Sequence, residues 1–158
     1  MSFNQLHPAC LNGDLIMIKI LINEGFNIEE RDKYGDTPLH DACLRRHLNV
    51  IKFLIELGAD PNAKNNDGYI SLHRACCRGH PGVIKLLIEF NVDLNAKDND
   101  YEYTPFNWAC IHNHINIAKF LIELGTNINP NHLKNEERNE INDYLSSIET
   151  NIYLNTQP

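Results

Sequence analysis

Four cysteines and three histidines recur along this chain at intervals that invite a metal or thiol reading. Cys10, Cys43, Cys76 and Cys110 are separated by 33, 33 and 34 residues, and His7, His40 and His73 each precede one of the first three by three residues. Thiolate and imidazole are zinc ligands, and paired thiols form disulfides. The interval argues against both. If each Cys sits on its own helix in a packed row, successive thiols stand about 8–10 Å apart. A disulfide needs Cα atoms within about 7 Å, and zinc needs its ligands at about 2.0–2.3 Å. No Cys-x-x-Cys occurs. We therefore expect no metal, no cofactor and no disulfide. Each repeated Cys should be a small apolar wedge between helices, and each repeated His should hydrogen-bond a neighbouring turn. His47, His80 and His114 recur in their own register and read as loop-stabilising. Cys77 falls outside the register beside Arg74 and Arg78; basic neighbours could lower its pKa, but a plain surface thiol is the simpler expectation.

The elements that position these side chains repeat with them. Ala9, Ala42, Ala75 and Ala109 each precede a repeated Cys. A fixed period of this length is the signature of stacked structural units, each unable to bury its apolar face alone. Thr37-Pro38 and Thr104-Pro105 read as helix starts, with Thr accepting from an orphan N–H and Pro suited to the first turn. A short helix is expected near residues 38–45. A second is expected near 49–57, where Val50, Ile51, Leu54 and Ile55 share one face. Gly58, Asn91 and Gly125 should end the second helices in the left-handed conformation. Polar stretches such as Asp32-Lys33-Tyr34-Gly35 and Asn65-Asn66-Asp67-Gly68 read as tight turns between units.

Gly35-Asp36-Thr37-Pro38-Leu39-His40-Asp41-Ala42 and Gly58-Ala59-Asp60-Pro61-Asn62-Ala63 resemble the ankyrin repeat, in a register running from residue 2 to about 130. The resemblance implies an all-α repeat protein: a solenoid of helix-turn-helix units with projecting β-hairpin loops. One domain over 1–158 is expected, with repeats at about 2–31, 32–64, 65–97 and 98–130. The copies depart from the pattern locally. Asn4-Gln5 and Ile70-Ser71 replace Thr-Pro in the first and third copies, while the fourth has Asn107 for His and one extra residue within 98–103. Beyond them, Ile141, Tyr144, Leu145, Ile148 and Ile152 make one apolar stripe, predicting a capping helix over about 134–152.

The resemblance also implies where a partner would bind. In the family, the loop tips and the exposed side of each first helix line a concave groove. Carried over, the candidates are Tyr34, Asp36, Asp41, Arg45, Tyr69, Arg74, Arg78, Tyr101, Tyr103, Trp108, Ile111 and His112. Tyr, Trp and Arg dominate binding hot spots because they offer large contact area with a polar handle. The tyrosines have a competing role, packing on the next loop. The expected function is a non-enzymatic adaptor, and the expected partner a protein segment with acidic and apolar residues. Two other roles fit the resemblance: a regulatory inhibitor of a partner enzyme, and a substrate of an asparaginyl hydroxylase at Asn62, Asn95 and Asn129.

Composition narrows the classes further. A formal net charge of -7 opposes bulk nucleic-acid binding, which needs a basic face. No run approaches the ~20 apolar residues of a membrane span, and the first residues lack a secretory pattern. A monomer in the cytoplasm or nucleus with reduced thiols is expected.

Overall fold

The computed structural model describes the backbone of residues 5–129 and 132–155, and their side chains except those of residue 135 and residues 149–155. Among the described residues eight short helices form four pairs: α1 (Leu6–Asn12) with α2 (Leu15–Asn23), α3 (Pro38–Leu44) with α4 (Leu48–Glu56), α5 (Ser71–Cys77) with α6 (Pro81–Glu89), and α7 (Pro105–Ile111) with α8 (Ile115–Glu123). A longer helix, α9 (Asn135–Asn155), follows. The first helices pack in a row, α1 on α3, α3 on α5 and α5 on α7, while α9 packs on α8.

The core is the repeat itself. Leu6, Leu39, Leu72 and Phe106 occupy one register position, and Leu21, Leu54, Leu87 and Leu121 another; all are buried. Each such leucine contributes about 2 kcal/mol of burial, and only stacking supplies the neighbour that makes it possible. The four repeated cysteines are free thiols within this core. Burial pushes the Cys10 and Cys110 thiols up to about 12, and raises those of Cys43 and Cys76 as well. They are apolar wedges, as the spacing predicts. At the C-terminal end Ile141 is buried, and Leu145 packs against the core. The side chain of Ile152, the last of the predicted stripe, lies outside the described residues.

Helix starts differ from expectation in an instructive way. The side chain that caps is the third residue of the helix, reaching back. His40 Nδ1 accepts from the Thr37 N–H at 3.1 Å, His73 Nδ1 from the Ile70 N–H at 3.1 Å, and Asn107 Oδ1 from the Thr104 N–H at 3.0 Å. The Thr37 hydroxyl bonds His40 Nδ1, and the Thr104 hydroxyl donates to Asn107 Oδ1. Ile70, with no hydroxyl, therefore holds the same extended backbone (φ -94, ψ 168) as Thr37 (φ -89, ψ 164). Gln5 does not; its φ of -86 and ψ of -12 are already helical.

The loops between repeats are turns, with no strand among the described residues, so the projecting β-hairpins reduce to loops closed by a backbone bond. Asp32 N–H donates to Asp36 O, Asn65 N–H to Tyr69 O, and Asp98 N–H to Tyr103 O. The extra residue of the fourth repeat is absorbed here: its closing bond spans one residue more, and Glu102 takes a left-handed φ of 55. Gly35 and Gly68 hold that region in the earlier loops at φ 74 and 81. A Cβ on either would lie 2.8 Å from the backbone nitrogen of Asn66 or Asn99 in the next loop. Glycine is thus required twice over, by conformation and by close approach. At the other turn, Gly58, Asn91 and Gly125 are left-handed as expected, with φ of 99, 56 and 82.

Candidate binding face

One carboxamide or carboxylate organises each loop. Asp32 Oδ1 accepts from the Tyr34 and Asp36 N–H groups, Asn65 Oδ1 from Asp67 and Tyr69, and Asp98 Oδ1 from Tyr101 and Tyr103. Each loop is then tied to the next repeat by its histidine. His40 Nε2 donates to Tyr69 O at 2.9 Å and His73 Nε2 to Tyr103 O at 3.2 Å. The Nδ1 of each already accepts a backbone N–H, so the proton must sit on Nε2. His47, His80 and His114 reach the carbonyls of Leu11, Leu44 and Cys77 in the preceding repeat. Both histidine registers therefore hold turns, as the sequence implies.

On this frame the unrepeated side chains of repeats three and four converge. Tyr69, His73, Arg74, Cys77, Trp108 and His112 line a cavity of about 280 Å³ between α5 and α7. Tyr69 meets the Trp108 ring edge-on at 5.3 Å, and His112 stacks on Trp108 at 5.6 Å. Tyr103 also meets Trp108 edge-on at 6.2 Å, and the exposed Tyr101 stacks on Tyr103 at 5.1 Å. Edge and stacked geometries at these separations are the favourable ones for aromatic pairs.

The polar ends of these walls are held by the scaffold. Trp108 Nε1 donates to Asp98 Oδ2 at 2.9 Å, so one carboxylate fixes both the loop and the ring. Arg74 bonds Asp36 Oδ2 at 2.9 Å, with its guanidinium 5.3 Å from the Tyr69 ring centre. Asp36 Oδ1 accepts from Asn65 Nδ2 at 2.8 Å. Cys77 Sγ lies 3.2 Å from His112 Nε2. Burial raises the Cys77 pKa against the pull of Arg78 and Arg74, and burial with the charges of His114 and Arg78 lowers that of His112. Both are neutral, so this thiol is not activated, and the plain-thiol expectation is the one the geometry favours.

The other candidates fall elsewhere. Asp36 and Asp41 are buried, and Asp41 bonds His7 Nδ1 at 2.7 Å; they act as struts under the face. Tyr34 is exposed at the first loop tip, beside Lys33. Arg45 and Arg78 are exposed at the ends of α3 and α5. Ile111 is not among the residues lining the aromatic cavity and lines a separate hollow with Lys134 and Glu137 at the start of α9. Asn62 Oδ1 accepts from the Asp93 N–H and Asn95 Oδ1 from the Asn127 N–H, both at 2.7 Å, clipping one loop to the next. Asn129 Nδ2 meets His132 Nε2 at 3.2 Å.

Besides His73 and Cys77, which line the cavity, two further contributors have no place among the sequence-derived binding-face candidates. Asp98 has a signal, since it shares the register of Asp32 and Asn65, whose carbonyl oxygens organise their own loops. His132, edge-on to Tyr103 at 5.1 Å, lies beyond the last repeat and has none.

Four helix pairs stacked in one register, with loops tied pair to pair, define a solenoid of helical repeats. The family model for ankyrin repeats, three copies long, matches residues 3–65 and again 58–132. The chain belongs to the ankyrin-repeat family. No individual curated protein matches it. Ankyrin repeats generally bind other proteins and typically carry no enzymatic activity. Among the described residues no helix is long and apolar enough to cross a membrane.

Proposed function

We propose that the protein is an adaptor that holds a segment of a partner protein against the concave side of repeats two to four, anchored in the Tyr69–Trp108 cavity. The observation that carries this reading is the internal satisfaction of the cavity's polar groups. Trp108 and Arg74 already have carboxylate partners, so their orientation does not depend on a ligand, and the cavity beside the rings remains open. A preformed site loses little ordering entropy on binding, which favours affinity without a deep pocket. Tyr101 and Tyr103 extend the apolar surface on one side, and Arg45 and Arg78 add charge on the other. Asp36 and Asp41 support the face from beneath. On this reading the protein acts as a monomer inside the cell, and any catalysis belongs to its partner.

Peptides selected from a random displayed library against the wild type supply the test. Trp108→Ala should weaken the selected peptides by about thirtyfold, the scale of a hot-spot residue, with an unfolding transition that remains cooperative. Equal affinity for wild type and variant rejects the site. Hydroxylation at Asn62 or Asn95 is a separate proposal, favoured only by their place on the loop rim. Intact mass after co-expression with an asparaginyl hydroxylase decides it by the presence or absence of added oxygen.

A further inference from the structure

A second hollow lies at the C-terminal ends of α3 and α5. Leu44, Arg45, Arg78 and His80 line it, with a volume of about 420 Å³. Arg45 and Arg78 occupy the same register position, the residue that ends α3 and the residue that ends α5. Both are exposed, and neither has a carboxylate partner among the described residues. In a chain of net charge -7, two adjacent arginines left without acids are an unspent cationic row. The negative ends of two helix dipoles lie beneath them, so the scaffold keeps the charges in place without neutralising them.

The spacing of that row restricts what can lie on it. Because α3 packs on α5, the backbone positions of equivalent residues stand about 8–10 Å apart. A β-strand returns a side chain to the same face every second residue, about 6.6 Å along, which falls short. A polyproline-II helix returns one every third residue, about 9 Å along, which matches. We propose that the partner segment runs along repeats two to four as a polyproline-II strand, setting carboxylate side chains at residues i and i+3 on Arg45 and Arg78 and an apolar side chain in the neighbouring Trp108 cavity. The ligand class is therefore an acidic, proline-tolerant peptide with period-three charge. This rests on the concave-face reading and adds the conformation and register of the segment.

The test uses fluorescein-labelled peptides in a proline-rich host, each with one downstream leucine and two glutamates spaced two, three, four or seven residues apart. Anisotropy titrations compare wild type, Arg45→Glu, Arg78→Glu and Trp108→Ala. The three-residue spacing should bind at least about threefold tighter than the others, the scale of an exposed ion pair. That preference should vanish in either arginine variant. A peptide with lysine at both acidic positions should regain it on the Arg45→Glu, Arg78→Glu double variant. Binding that ignores spacing yet falls with Trp108→Ala overturns the inference and leaves the concave-face reading intact. A preference for the seven-residue spacing puts an α-helix on the row and also overturns it. Binding that ignores both spacing and Trp108, or no binding by any peptide, rejects the inference; the library selection then decides the broader reading on its own.

Discussion

The first and last junctions of the stack are built from equivalent helices in the same register, yet one is closed and the other open. Asp41 and Trp108 are register mates on α3 and α7. In the first junction Asp41 meets His7 across the interface, and both side chains are nearly buried. In the last, Trp108 meets Tyr69 edge-on, and a cavity opens beside the ring. The backbone spacing is a property of the scaffold. One side chain per repeat decides whether a junction is a polar strut or a pocket wall. Function can therefore vary along an ankyrin stack without disturbing the fold, provided that the substituted slot satisfies its own polar groups.

The sharpest way to break the comparison is pH, because equivalent histidines at the two junctions titrate in opposite directions. Burial lowers the His73 pKa to about 4, outweighing the Tyr103 carbonyl and the Asp98 charge; protonation would also destroy the bond that Nδ1 accepts from Ile70. The unfolded chain takes up this proton near 6.5, while the folded chain waits until about 4. Stability should fall between those values by about 3 kcal/mol for His73 alone, then level off. His40, depressed in the same direction by burial, adds to the loss. His7 behaves the other way. Burial opposes its charge, but Asp41, the Glu30 carbonyl that Nε2 faces and the Asp32 charge together outweigh burial, so both ring nitrogens can donate and the pKa is raised. Its contribution is complete below 6.5 and is lost as pH rises through the folded value. NMR titration of the imidazole signals should place His7 above and His73 well below the ordinary value. Coincident midpoints near 6.5 would remove the distinction between the junctions.

That opposition is invisible in the sequence, where His7, His40 and His73 look alike. The register was legible because stacking forces the same residues to recur: the buried leucines, the Ala-Cys wedges and the left-handed Gly58 and Gly125 follow from period and turn chemistry alone. The binding face was legible in part. Tyr69, Arg74, Trp108 and His112 stand out because they break the repeat, and the structure brings them together. Asp36 and Asp41 break it equally, yet they point inward, because each finds a partner (Arg74 and Asn65, or His7) on an adjacent repeat. A single sequence does not say which neighbour an unrepeated side chain will meet. Ile111 shows the same limit: its surroundings are set by α9, which lies outside the period.

A smaller effect tests whether the open junction is held open by design of its polar groups. Trp108→Phe keeps an aromatic ring over Tyr69 but removes the Nε1–H that satisfies Asp98 Oδ2. Asp98 is buried, so the lost charge-assisted bond should cost about 2 kcal/mol in urea unfolding. Peptide affinity should drop as well, because the ring is no longer oriented by the loop. If stability is unchanged, the Asp98 bond does not support the wall, and the cavity owes its shape to ring packing alone.

The smallest effect belongs to the closed junction. Asp41→Asn retains an oxygen that can accept from His7 Nδ1–H, so the hydrogen bond survives while the charge does not. Above the folded His7 pKa, where the imidazole is neutral, the loss should be about 1 kcal/mol or less, the worth of an ordinary hydrogen bond. It should grow as the pH is lowered toward 5.5, because an imidazolium is then buried against a neutral amide and its pKa falls. The peptide affinity measured for Trp108→Ala and Trp108→Phe should not change with Asp41→Asn, since α5 and α7 form the cavity and α3 only underlies its neighbour. A fall in affinity matching that of the Trp108 variants would mean that strut and pocket are coupled along the stack. The slot occupied by Asp41 would then regulate the one occupied by Trp108, and the two junctions could no longer be treated as independent.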